Sequence, residues 1–417
     1  MWEQYKHLIS VIDVGGGALA RAAQWAAGYQ RPLIVSDVNT HKAAGEALCA
    51  LLDGAGARYD ALIYPDDLLT ADEAAAGRLL AAYAPHNDVV LGVGSGTISD
   101  LCKFLCFRAG RPCAAIGTAP SMDGYASAGA AMTIDGVKVT PRTQCPEAIF
   151  CDVDIMKNAP MPMLAAGLGD VLGKLSALAD WRLSHLLTGE PMPGDIAALV
   201  SDAVKRCMDN AGGLAARRAD AVKSVAEALI LSGIAMSLYG DSRPASGTEH
   251  HISHFWEMRF IAEGKPPVLH GLKVGVATLL ALDMWKTLPA APPRPDAGAM
   301  AYRGGEALRR AYGAAAAALS GENPILPFER VLENWDGVME IARAVPAPET
   351  AAGPMRTLGA PLTPGGIGVG PELLADGILF ARERKKTYTL LQLLGGLGLL
   401  EQAAARCVKN GGAVLCF

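Results

Sequence analysis

Positions 89–97 read VVLGVGSGT: an apolar run ends in three closely spaced glycines, and a helix-type segment carrying Asp100 and Lys103 follows. The apolar run predicts a buried strand over Val89–Val93, and the order strand, glycine turn, helix is typical of a phosphate-binding βα unit. Backbone N–H groups at such a turn, together with the helix dipole, favour an anion. A tight turn in which glycine only permits unusual dihedral angles is the alternative. A similar turn, Gly15–Gly17, follows the first predicted strand and competes for the phosphate.

Strand-like apolar segments alternate with Ala-rich helical segments around this turn. The predicted strands are Leu8–Val14, Leu33–Asp37, Ala61–Tyr64, Val89–Val93, Ala114–Thr118 and Glu147–Asp152, and the helical segments include Ala18–Ala27 and His41–Leu52. This alternation predicts a parallel sheet covered by helices. Asp135-Gly136, between alternating segments, predicts a β-hairpin over Ala131–Val139. We therefore expect an α/β nucleotide-binding domain over residues 1–160.

Strand signals almost vanish after Pro160 and Pro162. Long segments with helical apolar periodicity follow, at Met163–Leu187, Asp195–Ala211, Ala219–Met236 and Gly271–Met284. They predict an all-α domain over residues 161–417. Two segments rich in Pro or Gly, Pro289–Pro295 and Val345–Gly366, are predicted to be surface loops.

The bulk composition narrows the functional class. The 417 residues exceed what one hydrophobic core usually supports, so we expect two domains. The net charge is -5, from 37 basic and 42 acidic residues, and does not indicate a nucleic-acid-binding surface. Apolar stretches such as Val274–Met284 are too short to span a bilayer, and Met1–His7 lacks the apolar core of an export signal. Nine cysteines without a C-x-x-C pair fit neither a disulfide framework nor a zinc knuckle. We expect a cytoplasmic protein with a small-molecule partner and no membrane insertion.

Asp37 ends the second predicted strand. An acidic residue at this position can accept hydrogen bonds from the ribose hydroxyls of an adenosine and would repel a 2′-phosphate, which favours NAD over NADP. The alternative is that Asp37 caps the following helix, a role that Asn39 or Thr40 could also fill.

Histidine is scarce, and four of the eight in the chain lie at His250, His251, His254 and His270. Because residues four apart lie on the same face of an α-helix, His250 and His254 can face one cleft. His251 is rotated by roughly 100° from His250 and is the expected bystander. Two imidazoles and one carboxylate suit a divalent Lewis-acid metal with open positions. The spacing leaves open which two histidines bind, and solvated or core histidines are the alternative.

Asp170 is the candidate carboxylate, because it lies in an otherwise apolar, Ala-rich helical segment. A charge on a buried helix face is costly unless it is paired or bound to a metal. A surface pair between Asp170 and Lys174, four residues on, is the alternative. Zinc is the first choice for such ligands without a redox requirement, and nickel or iron fit the same residues.

Five motifs follow one another in the order found in a known family. They are Gly94-Ser95-Gly96 with Asp100, TAPSMDGYAS at Thr118–Ser127, Gly169-Asp170, SRPASGTEH at Ser242–His250, and His270-Gly271. In these motifs the chain resembles the glycerol-1-phosphate dehydrogenases, which belong to the superfamily of dehydroquinate synthase, glycerol dehydrogenase and iron-containing alcohol dehydrogenase. The resemblance covers nearly the whole chain and is densest from Val89 to Gly275.

The resemblance implies a dehydroquinate-synthase-like nucleotide-binding domain, a helical C-terminal domain, and interconversion of dihydroxyacetone phosphate and sn-glycerol 1-phosphate with NAD(P)H. It implies Asp170, His250 and His270 as metal ligands. It implies nucleotide contacts at Gly94, Ser95, Gly96, Thr97, Ile98, Thr118, Ser121 and Ser127, and substrate contacts at Asp123, His254 and Asp170. In this superfamily the pyrophosphate lies at the turn after the fourth strand, so Gly15–Gly17 becomes a structural turn.

Four residues are candidates for substrate chemistry beyond the metal. We expect His254 to relay protons, and Asp123 is the second candidate for this role. Alternatively, His254 is a third metal ligand and Asp123 is a turn residue. Lys174 and Arg243 neighbour the matched motifs and are expected to bind the substrate phosphate, unless they pair with Asp170 or Glu249.

Three other readings of the sequence remain. A polyol dehydrogenase or a dehydroquinate-synthase-like cyclase of the same superfamily is the nearest alternative activity. An NAD-binding sensor without chemistry is a different class, against which the complete candidate ligand set argues. We also expect a homo-oligomer, a dimer or larger.

Overall fold

A computed structural model describes residues 2–294, 306–313, 316 and 326–411. The strands are β1 Val11–Gly15, β2 Leu33–Asp37, β3 Asp60–Tyr64, β4 Val90–Gly94, β5 Cys113–Gly117, β6 Met132–Ile134, β7 Val137–Val139 and β8 Ala148–Asp152. Six of them form one parallel sheet in the order β1-β8-β5-β4-β2-β3. The predicted parallel sheet is therefore confirmed.

The sheet is covered on both faces, which explains why its strands read as continuous apolar runs. Ile34 packs in a core with Leu19 and Leu48 on one face, whereas Leu33 packs with Leu101 on the other. All residues of β4, β5 and β8 are buried. The predicted hairpin is also present: β6 and β7 pair antiparallel, and the two residues between them have positive φ angles, 51° and 72°.

The strand order creates a crevice at the carboxyl ends of β2 and β4. From β2 the chain first builds outward to β3, and then returns to build β4, β5 and β8 on the other side of β2. The sheet therefore changes its direction of growth between β2 and β4, and ligands of open α/β sheets bind at such a switch point. By contrast, β1 is an edge strand, so its glycine turn lies away from this crevice.

Helices alternate with these strands along the sequence and continue after the last of them. They are α1 Ala18–Ala26, α2 Val38–Thr40, α3 Glu46–Gly54, α4 Glu73–Ala82, α5 Gly96–Ala109, α6 Val153–Met156, α7 Met161–Thr188, α8 Gly194–Asp209, α9 Ala211–Ala215, α10 Ala219–Tyr239, α11 Thr248–Ala262, α12 His270–Lys286, α13 Glu306–Tyr312, α14 Phe328–Glu333, α15 Trp335–Ala344, α16 Pro348–Thr357, α17 Pro371–Phe380, α18 Leu390–Gly396 and α19 Leu400–Lys409. A π-helical turn, His41–Gly45, joins α2 to α3.

The chain divides into two compact units. The first comprises Met1–Gly167 with Asp209–Gly240, and the second comprises Leu168–Met208 with Asp241–Phe417. Every strand lies in the first unit, and the described part of the second is helical. Helices α9 and α10 thus belong with the sheet, although the sequence places them in the second domain. Close packing is the reason: a Cβ on Gly233 of α10 would lie 2.9 Å from the carbonyl oxygen of Asp123.

Helix α10 is long and apolar enough to cross a membrane, the one such helix among the described residues. However, 67% of its most apolar window is buried inside the protein. Its apolar character is therefore accounted for by packing in the first unit.

One predicted loop is wrong. Val345–Gly366 contains helix α16, which begins at Pro348, where a proline needs no N–H partner. Its Ala351, Ala352 and Met355 side chains are buried, so hydrophobic packing outweighs the Pro and Gly content that suggested a surface loop. The part of Pro289–Pro295 that the structure describes, up to Arg294, is a loop as predicted; Pro295 lies outside the described residues.

Candidate metal centre and nucleotide-binding turn

Three helices bring together two histidines and one carboxylate of the second unit. Asp170 lies on α7, His250 on α11, and His270 is the first residue of α12. One potential ligand atom from each lies within 4.8 Å of the other two. We call these residues the inner trio. They are the three predicted metal ligands, and their side chains converge as a 2-His-1-carboxylate site requires.

Glycines allow the helices of the inner trio to approach closely. A Cβ on Gly169 would overlap the carbonyl oxygen of Gly271 and lie 3.4 Å from the Cα of Gly275. A Cβ on Gly173, one turn further along α7, would lie 2.7 Å from a methyl group of Val274. Asp170 can therefore approach the start of α12 because small residues line this contact.

Glu249 orients the first imidazole of the trio. Its Oε1 lies 2.7 Å from Nδ1 of His250 and also accepts a hydrogen bond of 2.8 Å from the backbone N–H of Gly247. A carboxylate on one ring nitrogen fixes the tautomer and directs the other nitrogen toward a metal. Burial lowers the pKa of His250, but Asp170 and Glu249 together raise it to about 9. Ion binding would therefore displace a proton from this ring.

The carboxylate of the trio is paired with a buried lysine. Nζ of Lys174 lies 2.6 Å from Oδ1 of Asp170, and both side chains are almost completely buried. Burial would raise the pKa of Asp170, but Lys174 and the nearby histidines hold it below its usual range. The pair considered from the sequence therefore exists, although in the interior rather than at the surface. Lys174 is placed as the charge partner of Asp170, which argues against its predicted role in binding the substrate phosphate.

His254 also lies at the centre. Its ring centroid is 6.0 Å from that of His250 and 5.3 Å from that of His270. Its Nδ1 lies 3.1 Å from Oε2 of Glu257, a residue that the sequence reasoning missed. The spacing could have revealed it, since positions 250, 254 and 257 share one helix face.

The third imidazole of the centre, His270, differs from His250 in its pKa. Burial lowers the pKa of His270 to about 4.

The expected bystander, His251, is buried away from this face. Its Nε2 lies 3.2 Å from Oγ1 of Thr387. This contact agrees with the rotation of successive side chains around a helix.

Arg243 bonds to three other segments of the second unit. It is fully buried, and its Nη2 donates hydrogen bonds of 2.8 and 2.7 Å to the backbone carbonyls of Asp180 and Tyr388. Its Nε lies 3.1 Å from Glu190. Because these partners belong to the protein itself, they favour the paired alternative over the prediction that Arg243 binds the substrate phosphate.

Asp180, also missed from the sequence, supports helix α11. Its carboxylate accepts hydrogen bonds of 2.6 and 2.9 Å from the backbone N–H groups of Thr248 and Leu390, the first residues of α11 and α18. Burial raises the pKa of Asp180 to about 7, and the charge of Glu249 adds to this. The helix that carries two histidines of the centre is therefore capped from α7.

The predicted phosphate turn lies in the first unit, between β4 and α5. Ser95 precedes α5, and its side chain makes no capping hydrogen bond to this end of the helix. The backbone N–H groups of Gly96, Thr97 and Ile98 therefore lack partners within the helix. A Cβ on Gly94 would lie 2.8 Å from Cβ of Ile98, so glycine is required for the helix to begin so near the strand. The Ile98 side chain is buried, which leaves its backbone as the candidate nucleotide contact.

The other predicted nucleotide-contacting residues surround this turn. The backbone N–H of Thr118 donates to the carbonyl of Gly94 over 3.1 Å, and the Ser95 and Ser121 hydroxyls are 2.5 Å apart. Ser127 lies in a segment that buried Lys103 holds, by donating hydrogen bonds of 2.6 and 2.5 Å to backbone carbonyls 124 and 129. The structure thus brings Thr118, Ser121 and the glycine turn together.

Asp37 and Asp123 both have structural partners in the first unit. Oδ1 of Asp37 accepts hydrogen bonds from the backbone N–H groups of Asn39 and Thr40. Asp37 therefore caps the following helix, as in the alternative interpretation. It does so at the carboxyl end of β2, where we expected its carboxylate to contact a ribose. Oδ2 of Asp123 accepts a hydrogen bond of 2.8 Å from Ser232.

Solved structures and a family model agree on the fold. Residues 9–160 match the family described as iron-containing alcohol dehydrogenase. A probable glycerol dehydrogenase from Sinorhizobium meliloti has the same fold, with a TM-score of 0.64 at 16% identity, over 95% of this chain and 98% of that one. Glycerol dehydrogenase from Schizosaccharomyces pombe gives 0.63 at 16% identity, over 97% and 92%. The chain therefore has the fold of these dehydrogenases, and its second unit carries a candidate set of metal ligands.

Curated relatives identify the family. Glycerol-1-phosphate dehydrogenases from Bacillus velezensis and Geobacillus stearothermophilus are 35% and 32% identical to this chain, over 88% and 94% of it and 85% and 94% of their own lengths. The enzyme from Halalkalibacterium halodurans is 44% identical over 61% of this chain, and the alignment spans 64% of that relative. The chain belongs to the glycerol-1-phosphate dehydrogenase family.

Proposed function

We propose that this protein interconverts dihydroxyacetone phosphate and sn-glycerol 1-phosphate with NAD(P)H, using one divalent ion held by Asp170, His250 and His270. The observation that carries the proposal is the convergence of these three side chains from three helices, within 4.8 Å of one another. The similarity to glycerol-1-phosphate dehydrogenases suggests the substrate.

The residues of the inner trio fit a Lewis-acid ion. When bound, such an ion would polarise the C2 oxygen of the substrate, so that hydride can pass between C2 and the nicotinamide. Glu249 keeps the His250 ring in one orientation, and Lys174 balances the charge of Asp170. We propose zinc, because two imidazoles and one carboxylate suit it and the reaction needs no redox-active metal. Nickel and iron suit the same ligands.

His254 is the proposed proton carrier. Its Nδ1 is held 3.1 Å from Glu257, so a proton exchanged with the substrate would be carried at Nε2. Asp123 is the second substrate-contacting residue that we propose, as in the family. Because the Ser232 hydroxyl occupies one of its oxygens, the Asp123 side chain has a defined orientation.

The turn after β4 is the proposed pyrophosphate site. Three backbone N–H groups at the start of α5 are available to an anion there, and glycine lets the helix begin close to the strand. The turn also lies at the switch point of the sheet. Asp37 lies at the end of the adjacent strand β2, where its carboxylate favours NAD over NADP.

We also propose a homo-oligomer. Ile63 on edge strand β3 is 41% exposed, and Leu68 and Leu80 are 76% and 63% exposed. Exposed apolar residues near an open sheet edge are typical of association surfaces. Light scattering of the purified protein tests this proposal.

The activity test follows NADH oxidation by the zinc-loaded protein with dihydroxyacetone phosphate, with unphosphorylated dihydroxyacetone as the comparison. We expect turnover only of the phosphorylated substrate and a product of sn-glycerol 1-phosphate chirality. Equal turnover of both substrates would point to a polyol dehydrogenase. His270→Ala should lose both metal and turnover, whereas His254→Ala should keep the metal and lose rate. Loss of metal in His254→Ala would contradict the proton-carrier role.

A further inference from the structure

A second group of potential metal ligands adjoins the inner trio. His254, Glu257 and His270 each offer one ligand atom, and these atoms also lie within 4.8 Å of one another. We call these residues the outer trio; it shares His270 with the inner one. The inference below deepens the proposed function and rests on it for the presence of a catalytic ion.

The two trios offer the same donor chemistry. Each consists of two imidazoles and one carboxylate, so an ion that suits one suits the other. The ring of His270 is equally distant from the two histidines it would work with: 5.3 Å from His250 and 5.3 Å from His254. His254 and Glu257 are one turn apart on α11 and already contact each other over 3.1 Å. His270 is thus the common member of two adjacent ligand sets.

Burial differs between the two sets. The side chains of Asp170 and His250 are 0% and 6% exposed, whereas those of His254 and Glu257 are 15% and 17% exposed. An ion arriving from water therefore meets the outer trio first. Since removing a charge from water is costly, an intermediate set of ligands lowers the barrier to the buried position.

Charge balance also favours arrival at the outer trio. The Asp170 carboxylate is held by Lys174 at 2.6 Å, while Nζ of Lys273 lies 3.7 Å from Oε1 of Glu257. Attraction between unit charges falls with distance, so the lysine contact at Glu257 is weaker than the lysine contact at Asp170. An incoming cation therefore has a weaker lysine contact to displace at Glu257 than at Asp170.

We propose that the outer trio is a second divalent-cation position, through which the ion enters and leaves the inner trio. Because both positions use His270, one ion per chain occupies one or the other. His254 and Glu257 belong to the outer position alone, and Glu257 is its carboxylate. Removing its charge should therefore separate the two positions experimentally.

The first experiment places an ion in the outer trio. Asp170→Asn removes the inner carboxylate, and equilibrium dialysis with Co²⁺ measures what remains bound. We expect one Co²⁺ per chain, held about tenfold or more weakly than by the unaltered protein, with a changed visible absorption spectrum. Adding Glu257→Gln should abolish this binding. Adding Glu263→Gln to Asp170→Asn instead should leave Co²⁺ binding unchanged. Glu263 lies at the end of the same helix, but it pairs with Arg259 and Lys265 and is not part of the outer trio.

The second experiment leaves the inner trio intact, so it remains decisive if Asp170→Asn does not fold. Stopped-flow mixing of metal-free protein with Co²⁺ measures loading, and mixing of loaded protein with a chelator measures release. In Glu257→Gln both rates should fall about tenfold, with one Co²⁺ still bound per chain. Glu263→Gln should load and release as the unaltered protein does.

Three results would overturn the proposal. They are an Asp170→Asn protein that folds and binds no Co²⁺, a double variant with Glu257→Gln that binds as well as Asp170→Asn alone, and unchanged rates in Glu257→Gln. None of these measurements involves the phosphorylated substrate. Failure to reduce dihydroxyacetone phosphate would thus contradict the proposed function and leave the metal result standing.

Discussion

The close contact between α7 and α12 sets the geometry of the inner trio, and Gly169→Ala tests this. Gly169 precedes Asp170, and a Cβ added to it would overlap the carbonyl oxygen of Gly271, the residue after His270. In a helix interior, alanine is ordinarily more stable than glycine by about 1 kcal/mol. Loss of stability in this variant would therefore have a clear steric cause.

The structure gives the size of the expected displacement. The added Cβ would lie 3.2 Å from the carbonyl carbon of Gly271 and 3.4 Å from Cα of Gly275. Carbon atoms pack at about 3.5–4.0 Å, so the carbon contacts alone require the two helices to separate by roughly 0.3–0.8 Å, and the overlap with the Gly271 oxygen adds to this. Metal sites tolerate about 0.5 Å of such displacement. We expect zinc affinity to fall by about 10- to 100-fold, and the metal-free protein to lose about 1–3 kcal/mol of stability.

The assay is a zinc competition titration against a chromophoric chelator, combined with thermal unfolding of the metal-free protein. Gly353→Ala is the matched control: Gly353 also lies in a helix of the second unit, and a Cβ there would meet nothing within 4 Å. This control should keep its zinc affinity and be as stable as the unaltered protein or more so. Wild-type zinc binding and stability in Gly169→Ala would refute the idea that the α7–α12 contact sets the site.

Three further predictions concern the cofactor turn and the support of α11. Gly94→Ala should raise the dissociation constant for NADH, measured by fluorescence titration, because the new Cβ would lie 2.8 Å from Cβ of Ile98. Glu249→Gln should weaken zinc binding about tenfold in the competition titration, since the charge behind His250 is lost. Burial raises the pKa of Asp180 to about 7 from an ordinary 3.8, so the folded protein keeps a proton that the unfolded chain releases. Stability should therefore fall as pH rises from about 4 to about 7, by up to about 4 kcal/mol, and urea unfolding of Asp180→Asn should lack this component.

Much of the fold could be predicted from local sequence. The apolar run of β2 predicts its observed bounds, and the other sheet strands are displaced by three residues at most, because a parallel sheet buried on both faces needs continuous apolar segments. Helix α16 was not predicted, because its local sequence favours a loop. Its Pro348 and Gly353 resemble loop residues locally, and only packing of its alanines against neighbouring helices makes it a helix.

The candidate site divides in the same way. Sequence alone brought out His250 and His254, because a four-residue spacing on a helix determines a shared face. Glu257 lies on that face too, but a glutamate on a helix usually faces water, and only the position of His270 on another helix makes it a potential ligand.

Sequence by itself determined the alternation of strands and helices, the glycine turn after β4 and the shared helix face of His250 and His254, because these depend on neighbours within a turn or a strand. Tertiary structure alone decided which of those residues meet and what else they contact. Arg243 shows this most clearly: its motif suggested phosphate binding, yet its carbonyl partners, Asp180 and Tyr388, lie 63 and 145 residues away. No local pattern encodes contacts over such separations, because they arise only when packing of the helices brings distant segments together.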